Sequence, residues 1–217
     1  MFKFLFSSIG QKIQIAFSGF ALSIFLLFHL FNNLVLFTGK ENFNNMVSFL
    51  KSVHLLVRIL EFGLVAIILL HIINAIYSTI KNKKANNGKY AVSANTAPRS
   101  SKTMIWSGIT ILFFFVIHLR YYWYTFQLLD KDANFYEYML LNKFGFLGHT
   151  PTAIIYIASI LLISIHLKHG FLSIFKTFGV PLKYREGILK YVAALFWAII
   201  PAGFIIVILG IQFGIIN

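Results

Sequence analysis

The chain has 217 residues, of which 59% are hydrophobic, 18% aromatic and 12% charged, and its formal net charge is +13. A soluble protein of this length needs far more charge to cover its surface, so the composition predicts an integral membrane protein. The chain contains no cysteine, which excludes disulfides, thiolate metal sites, Cys-ligated iron–sulfur clusters and covalently attached c-type haem.

Long apolar runs without charge predict five transmembrane helices and an all-α fold, because about 20 apolar residues cross a bilayer as a helix. The first run is too long for a signal peptide and is expected to remain as a permanent helix. We expect one membrane domain over residues 1–217, with helices at approximately 13–37, 55–81, 103–127, 151–176 and 188–215.

The basic residues are concentrated at the amino-terminus and in two of the four connections between these helices. The positive-inside rule then places the amino-terminus in the cytoplasm and the carboxy-terminus outside. The basic connections, 82–102 and 177–187, are expected to be cytoplasmic, and the near-neutral connections, 38–54 and 128–150, to lie outside. Because this distribution reports membrane topology, we expect no nucleic-acid partner.

Each of the first four predicted helices carries a histidine within an internal repeat. The first helix has Ser18-Gly19, nine residues and then His29, and the third has Ser107-Gly108, nine residues and then His118. The second and fourth helices share a spacing of small and polar residues after His71 and His166. The repeat aligns His169 with Asn74, which favours His166 over His169 as the functional residue. We therefore expect two parallel two-helix units and a fifth helix.

The depths of the four histidines predict two pairs. His29 and His118 lie 17 and 16 residues beyond Lys12 and Lys102, or about 25 Å from the cytoplasmic edge. His71 and His166 each lie ten residues before a lysine, or about 15 Å from that edge, so the two levels differ by about 10 Å. Facing imidazoles in a helix bundle are typical axial ligands of low-spin haem. A structural or proton-relay role is the alternative.

Small residues near the inner histidines leave room for a flat porphyrin, although packing between helices explains them equally well. They are Gly19, Ala75, Gly108 and Gly170.

Several segments together resemble a known family: SIGQK at Ser8–Lys12, FHLFNN around His29, Arg58 with Glu61, TMIWSG followed by the HL of His118, and HLKHG from His166. The chain is similar over nearly its whole length to the single-subunit, two-haem cytochrome b anchor of bacterial succinate dehydrogenases and fumarate reductases that use menaquinone. The resemblance implies five membrane helices in the bacterial cytoplasmic membrane, with two haem b groups. His71 and His166 would bind the proximal haem, and His29 and His118 the distal one.

The resemblance also implies the partners and the task within respiratory complex II. A flavoprotein subunit with FAD carries the dicarboxylate chemistry of the tricarboxylic acid cycle. An iron–sulfur subunit, docked on the cytoplasmic face, links it to this chain. The chain itself would bind haem and menaquinone and carry electrons in either direction.

Charged residues near the helix ends are candidates for the quinone and haem surroundings. Glu61 is the only acid in a predicted helix and stands one turn from Arg58, so we expect these two residues at the quinone site. A structural ion pair is the alternative. Candidate partners of the haem propionates are Lys12, Ser101, Lys102 and Arg120, of which Arg120 could instead extend outward.

Two other functions fit parts of the pattern. A dihaem cytochrome b of another quinone-linked dehydrogenase, such as a hydrogenase or formate dehydrogenase, would use the same histidines with different partners. A haem-free transporter or proton channel would use them without iron. The paired depths and the lack of a series of intramembrane carboxylates argue against that second alternative.

Overall fold

The structure, a computed structural model, describes residue 4 and residues 6–86 and 99–217, without the side chains of residues 83, 85, 86 and 99–103. Every regular element in this part of the chain is helical. The α-helices are Ser8–Leu34, Lys40–Ser52, His54–Asn86, Arg99–His118, Tyr124–Leu128, Phe135–Leu140, Thr150–Thr177, Leu182–Glu186, Ile188–Ala194 and Ile200–Gln212. A 3-10 turn, Val35–Thr38, extends the first helix, and two π-helical turns, Leu119–Trp123 and Leu195–Ile199, join neighbouring α-helices.

Five helical segments are long and apolar enough to cross a membrane, as expected from the charge-free runs. These are the first to fifth spans: Ser8–Thr38, His54–Asn82, Met104–Leu128, Thr150–Thr177 and Ile188–Gln212. The first span begins before the charge-free run because the Ser7 hydroxyl caps it, accepting a hydrogen bond from the Gly10 amide at 3.0 Å. The chain has the architecture of a multi-pass membrane protein.

The outer faces of the spans are apolar and uncovered. Phe62 on the second span is 73% exposed, Phe113 on the third 68% and Ile206 on the fifth 55%. In water such side chains would form a large exposed hydrophobic patch, whereas lipid tails solvate them. These faces are the lipid-contacting surface of the protein.

The spans pack as an open ring. The first span packs along the second and the fourth, and the third packs along the fourth, whereas the second and third approach each other at few described points. The fifth span lies against the fourth and the first. Its Gly203 allows this approach, since a Cβ there would stand 2.7 Å from Leu30 Cδ2. The ring is therefore closed on three sides and open between the second and third spans.

The two ends of the bundle differ in charge. At one end, called the basic end, Lys81 of the second span donates to the Ser8 hydroxyl of the first at 2.9 Å. Lys12, Lys176 and Lys190 lie at the same end of their spans. The opposite end, called the neutral end, holds the connections between the first and second spans and between the third and fourth.

The connection over residues 38–54 contains a helix where the sequence suggests only a loop. Lys40–Ser52 starts at Gly39, whose φ of 95° turns the chain sharply out of the first span. Phe43 and Val47, one turn apart, form its buried face. Charge-free runs do not reveal such a helix, because its other face is polar and it lies beside the spans rather than among them.

This connecting helix and residues 129–149 form a cap on the neutral end. Phe135, Tyr136 and Met139 of the cap are buried in one core with side chains of the fourth and fifth spans. Asn44 of the connecting helix accepts the Tyr136 amide hydrogen at 2.9 Å, and Tyr122 of the third span accepts that of Leu147 at 2.8 Å. The first bond joins the two parts of the cap, and the second ties the cap to the third span.

The π-helical turn in the fifth span has a local cause. Pro201 has no amide hydrogen to give to the Trp197 carbonyl, so the regular helical ladder is broken there. The Ser164 hydroxyl of the fourth span donates to this carbonyl. The wider turn and the bond between spans hold the fifth span against the fourth.

Candidate functional site

The four membrane histidines face one another in two pairs. The ring centroids of His29 and His118 are 5.6 Å apart, and those of His71 and His166 are 6.5 Å apart. One pair joins the first and third spans and the other joins the second and fourth, so both lie across diagonals of the ring. The structure brings together the same residues that the depth argument pairs, whereas His169 is exposed.

The two levels are farther apart than expected. Gly19 lies beside His71, and His29 is ten residues farther along the same span, which corresponds to about 15 Å along the helix axis. The third span repeats this arrangement, with Gly108 beside His166 and His118 ten residues farther on. The lysines at the basic ends of the spans mark the membrane edge only loosely, because their long side chains reach outward. Depths counted from them therefore underestimate the separation of the two levels.

The spacing within each pair fits two imidazoles that share one metal. Two metal–nitrogen bonds of about 2 Å, with the radius of each ring added, separate the centroids by about 6 Å. The observed separations lie on either side of that value. Among the described residues no group of three or more His, Cys, Asp or Glu could hold a bare metal ion. Two protein ligands per metal suit a group that brings its other ligands with it, as haem does.

Serine hydroxyls lie within hydrogen-bond distance of both inner histidines. Ser18 Oγ lies 3.1 Å from His71 Nδ1, and Ser107 Oγ lies 3.0 Å from His166 Nδ1. Each hydroxyl donates its single hydrogen to a carbonyl of its own helix, that of Gln14 for Ser18 and Met104 for Ser107. This arrangement suits imidazoles that donate an Nδ1 hydrogen to the serine oxygen, which leaves the Nε2 lone pair for a metal.

The glycines that follow these serines let the inner histidines approach. A Cβ at Gly19 would lie 3.3 Å from His71 Cε1, and one at Gly108 would lie 3.8 Å from His166 Cε1. Each repeat unit thus makes the same pair of contacts with its own histidine. Gly170 instead faces Met104, and the Ala75 carbonyl accepts a hydrogen bond from Thr79.

Aromatic side chains surround the outer pair. Phe25 stacks on His29 at 5.4 Å, and Phe204 of the fifth span lies 5.5 Å from the same ring. Rings on the third and fourth spans lie 5.6–6.0 Å from His118, and they belong to Phe114, Tyr122 and Tyr156. The sequence gives no sign that the fifth span reaches this site, because Phe204 is one of 25 phenylalanines.

The expected pair of Arg58 and Glu61 forms, and it has a third member that sequence reasoning missed. Arg58 Nη1 lies 2.7 Å from Glu61 Oε2, with the two side chains 40% and 25% exposed. Gln127 of the third span accepts a hydrogen bond from Arg58 and donates to Glu61 Oε1 at 3.3 Å. These three residues, called the polar bridge, link the second and third spans on the open side of the ring, near the neutral end. Gln127 is the only glutamine in the third predicted helix, which was an available signal.

Neither Arg120 nor Lys12 contacts the histidine pairs. Arg120 lies over the rings of Tyr124 and Tyr121, at 4.9 and 5.8 Å, among the aromatic side chains toward the neutral end. Lys12 is exposed at the basic end. Ser101 and Lys102 belong to the helix Arg99–His118, but their side chains lie outside the described part.

Comparisons of the chain with protein-family models, with characterised proteins and with solved structures find no match.

Proposed function

We propose that this chain is the dihaem cytochrome b membrane anchor of a succinate dehydrogenase or fumarate reductase of the bacterial cytoplasmic membrane, working with menaquinone. The observation that carries the proposal is the two facing histidine pairs on the diagonals of one bundle. The segment resemblance supports the choice of enzyme, since the pairs alone favour only a dihaem membrane cytochrome.

In this proposal His71 and His166 bind the proximal haem b, and His29 and His118 the distal one. The two haems supply a path for single electrons between the ends of the bundle. The protein presents neutral imidazoles with their Nε2 lone pairs free. Ser18 and Ser107 hold the proximal ligands by their Nδ1 hydrogens, and aromatic rings surround the distal ligands.

The proposed menaquinone-binding site is at the polar bridge. Reduction of a quinone to a quinol takes up two protons, so a carboxyl group is needed within reach of solvent and of the distal level. Glu61 stands ten residues from His71 along the second span, which is about 15 Å toward the neutral end. Its side chain is one-quarter exposed and held by Arg58 and Gln127. It is therefore positioned to receive and pass on a proton.

The basic end is the proposed docking face for the iron–sulfur subunit, which in turn binds the flavoprotein with its FAD. This end carries the inner, proximal pair. Placing it in the cytoplasm agrees with the positive-inside distribution of Lys and Arg. In this arrangement the dicarboxylate chemistry takes place on the partner subunits.

A dithionite-reduced minus oxidised spectrum of the purified protein tests the proposal. We expect b-type α-bands and two haems per chain. His71→Ala or His166→Ala should remove the proximal haem, and His29→Ala or His118→Ala the distal haem alone. His54→Ala, which changes a histidine outside both pairs, is the matched control and should keep both haems. The absence of a b-type α-band from the unaltered protein would refute the proposal.

Co-purification separates the proposed enzyme from other quinone-linked dehydrogenases. We expect an FAD-containing subunit and an iron–sulfur subunit to be isolated with the chain, together with succinate- or fumarate-dependent electron transfer. Isolation with a hydrogenase or formate dehydrogenase subunit would keep the haems but reject this assignment.

A further inference from the structure

Two buried polar atoms close to the outer pair have no hydrogen-bond partner among the described residues. They are His118 Nδ1 and the Tyr156 hydroxyl oxygen. The two side chains are neighbours, with ring centroids 6.0 Å apart, and Tyr156 is only 3% exposed. Buried polar groups without a partner are rare and costly in folded proteins, so two of them side by side point to a polar molecule that both contact.

His118 lacks the hydroxyl partner that both inner histidines have. His71 and His166 each have a hydroxyl oxygen within 3.1 Å of Nδ1, supplied by Ser18 and Ser107. A metal-binding imidazole almost always donates its second ring hydrogen in this way, which fixes its orientation and raises its basicity. Around His118 the described hydroxyls are those of Tyr122 and Tyr156. The Tyr122 oxygen already accepts the Leu147 amide hydrogen at 2.8 Å.

The internal repeat aligns Tyr156 with Glu61. Tyr156 stands ten residues before His166, as Glu61 stands ten residues before His71. The two residues are thus equivalent in the two repeat units. In one unit the position carries a carboxyl group of the polar bridge, and in the other a buried phenol beside His118.

We propose that Tyr156 is a positioning residue for His118, and that the two hold one buried water molecule between the Tyr156 hydroxyl and His118 Nδ1. With Nε2 on the iron, Nδ1 carries a hydrogen and is a donor, and the phenol is also a donor. The two atoms are not hydrogen-bonded to each other in the structure. A water oxygen has two lone pairs, so one water molecule accepts the hydrogens of both and spans the gap between them. The water thereby replaces the serine hydroxyl found at the inner pair.

The proposal rests on the proposed function and predicts a spectroscopic consequence. A hydrogen bond from Nδ1 makes the imidazole a stronger donor to iron and favours the oxidised haem. Tyr156→Phe keeps the ring but removes one of the two groups that hold the water. We expect the midpoint potential of the distal haem alone to rise, with a several-fold increase in the reduced fraction relative to the oxidised at its wild-type midpoint.

Spectroelectrochemical titration of the haem-loaded complex measures this shift and resolves the two haems. Tyr122→Phe is the matched control, because Tyr122 is another buried tyrosine 5.7 Å from His118 whose hydroxyl already has a protein partner. It should leave the distal potential near its wild-type value. An unchanged distal potential in Tyr156→Phe, or an equal shift in both variants, would overturn the inference while both haems remain and the proposed function stands.

A measurement on the unaltered complex keeps the inference testable if Tyr156→Phe does not fold. A density map that resolves ordered waters should show a peak within hydrogen-bond distance of both the Tyr156 hydroxyl and His118 Nδ1. A map without that peak would overturn the inference. Loss of every b-type band in the unaltered protein would instead refute the proposed function, and the map would still decide whether the water is present.

Discussion

The inner and outer histidines are held in different ways, although the repeat makes their helices equivalent. Ser18 and Ser107 each lie within hydrogen-bond distance of backbone carbonyls of their own helix and of the imidazole of the neighbouring span. The outer histidines are instead surrounded by aromatic rings. Polar support therefore lies on the basic side of the bundle, and apolar enclosure toward the cap.

Removing either serine hydroxyl should alter the proximal haem and leave the distal one unchanged. In Ser18→Ala or Ser107→Ala the imidazole loses the acceptor of its Nδ1 hydrogen, which typically weakens metal binding by about 10- to 100-fold. We expect faster loss of the proximal haem and a higher midpoint potential for it, measured by haem retention in detergent and by redox titration.

Ser23→Ala is the control for both serine variants. Ser23 is 1% exposed and donates to the Gly19 carbonyl at 2.8 Å, so it is a buried serine of the same span whose described hydrogen bond goes to backbone. If Ser23→Ala weakened the proximal haem as much as Ser18→Ala, the contact with His71 would not be the cause.

Three structural features follow one another near the end of the third span. It supplies His118, turns into a π-helix immediately afterwards at Leu119–Trp123, and ends with Gln127 in the polar bridge. A π-helical turn inserts an extra residue and rotates all that follows it, and such turns are frequent at functional sites. The turn therefore sets the direction in which Gln127 leaves the span relative to His118.

The polar bridge should be needed for quinone chemistry and not for haem binding. Glu61→Gln removes the titrating carboxyl group but keeps a hydrogen-bond acceptor for Arg58. We expect both haems to remain and menaquinol turnover to fall by about 100-fold or more, the usual contribution of a positioned acid or base. Gln127→Leu should reduce turnover less, because the direct ion pair of Arg58 and Glu61 remains.

Glu137→Gln provides the matched control at the same end of the protein. Glu137 also pairs with a basic residue, Lys40, at 2.7 Å, and the Lys40 hydrogen bond and charge hold the pKa of the Glu137 carboxyl below its usual range. The pair is exposed and lies in the cap, so its removal should change turnover little. Wild-type turnover in Glu61→Gln would exclude Glu61 from the quinone site.

At the scale of the whole molecule, the two ends of the bundle differ in charge. Lysines lie at the basic end, and the cap closes the neutral end. The spans and the histidine pairs could be predicted because long apolar runs and a repeated His spacing are properties of the linear sequence. Such patterns specify depth and identify which residues share a level.

Other features depend on contacts that no linear pattern encodes. Gln127 bonds to Glu61 although the two residues are 66 positions apart in the sequence, and Phe204 of the fifth span contacts His29. The connecting helix Lys40–Ser52 escaped prediction because it is too short and too polar to resemble a span. The serine partners of the inner histidines come from the neighbouring span, where close packing at Gly19 and Gly108 brings them within reach.

The orientation in the membrane can be measured directly because the chain has no cysteine of its own. Lys131→Cys places one thiol in the cap, and Lys183→Cys places one at the basic end, both at exposed positions. In intact cells a membrane-impermeant maleimide should label the Lys131→Cys variant. It should label Lys183→Cys only after the membrane is opened, and the reverse pattern would invert the proposed topology.

The diagonal arrangement of the histidine pairs has a consequence for how the protein is built. Each pair takes one histidine from the first two spans and one from the third and fourth, so neither half of the chain contains a complete pair. On the side where the second and third spans hardly meet, the polar bridge links the halves within the described part of the chain. Any group bound within a pair would therefore act as a clasp between the two halves. Filling the site and completing the tertiary structure would then be one event, so the supply of that group would limit how much of the newly made chain matures.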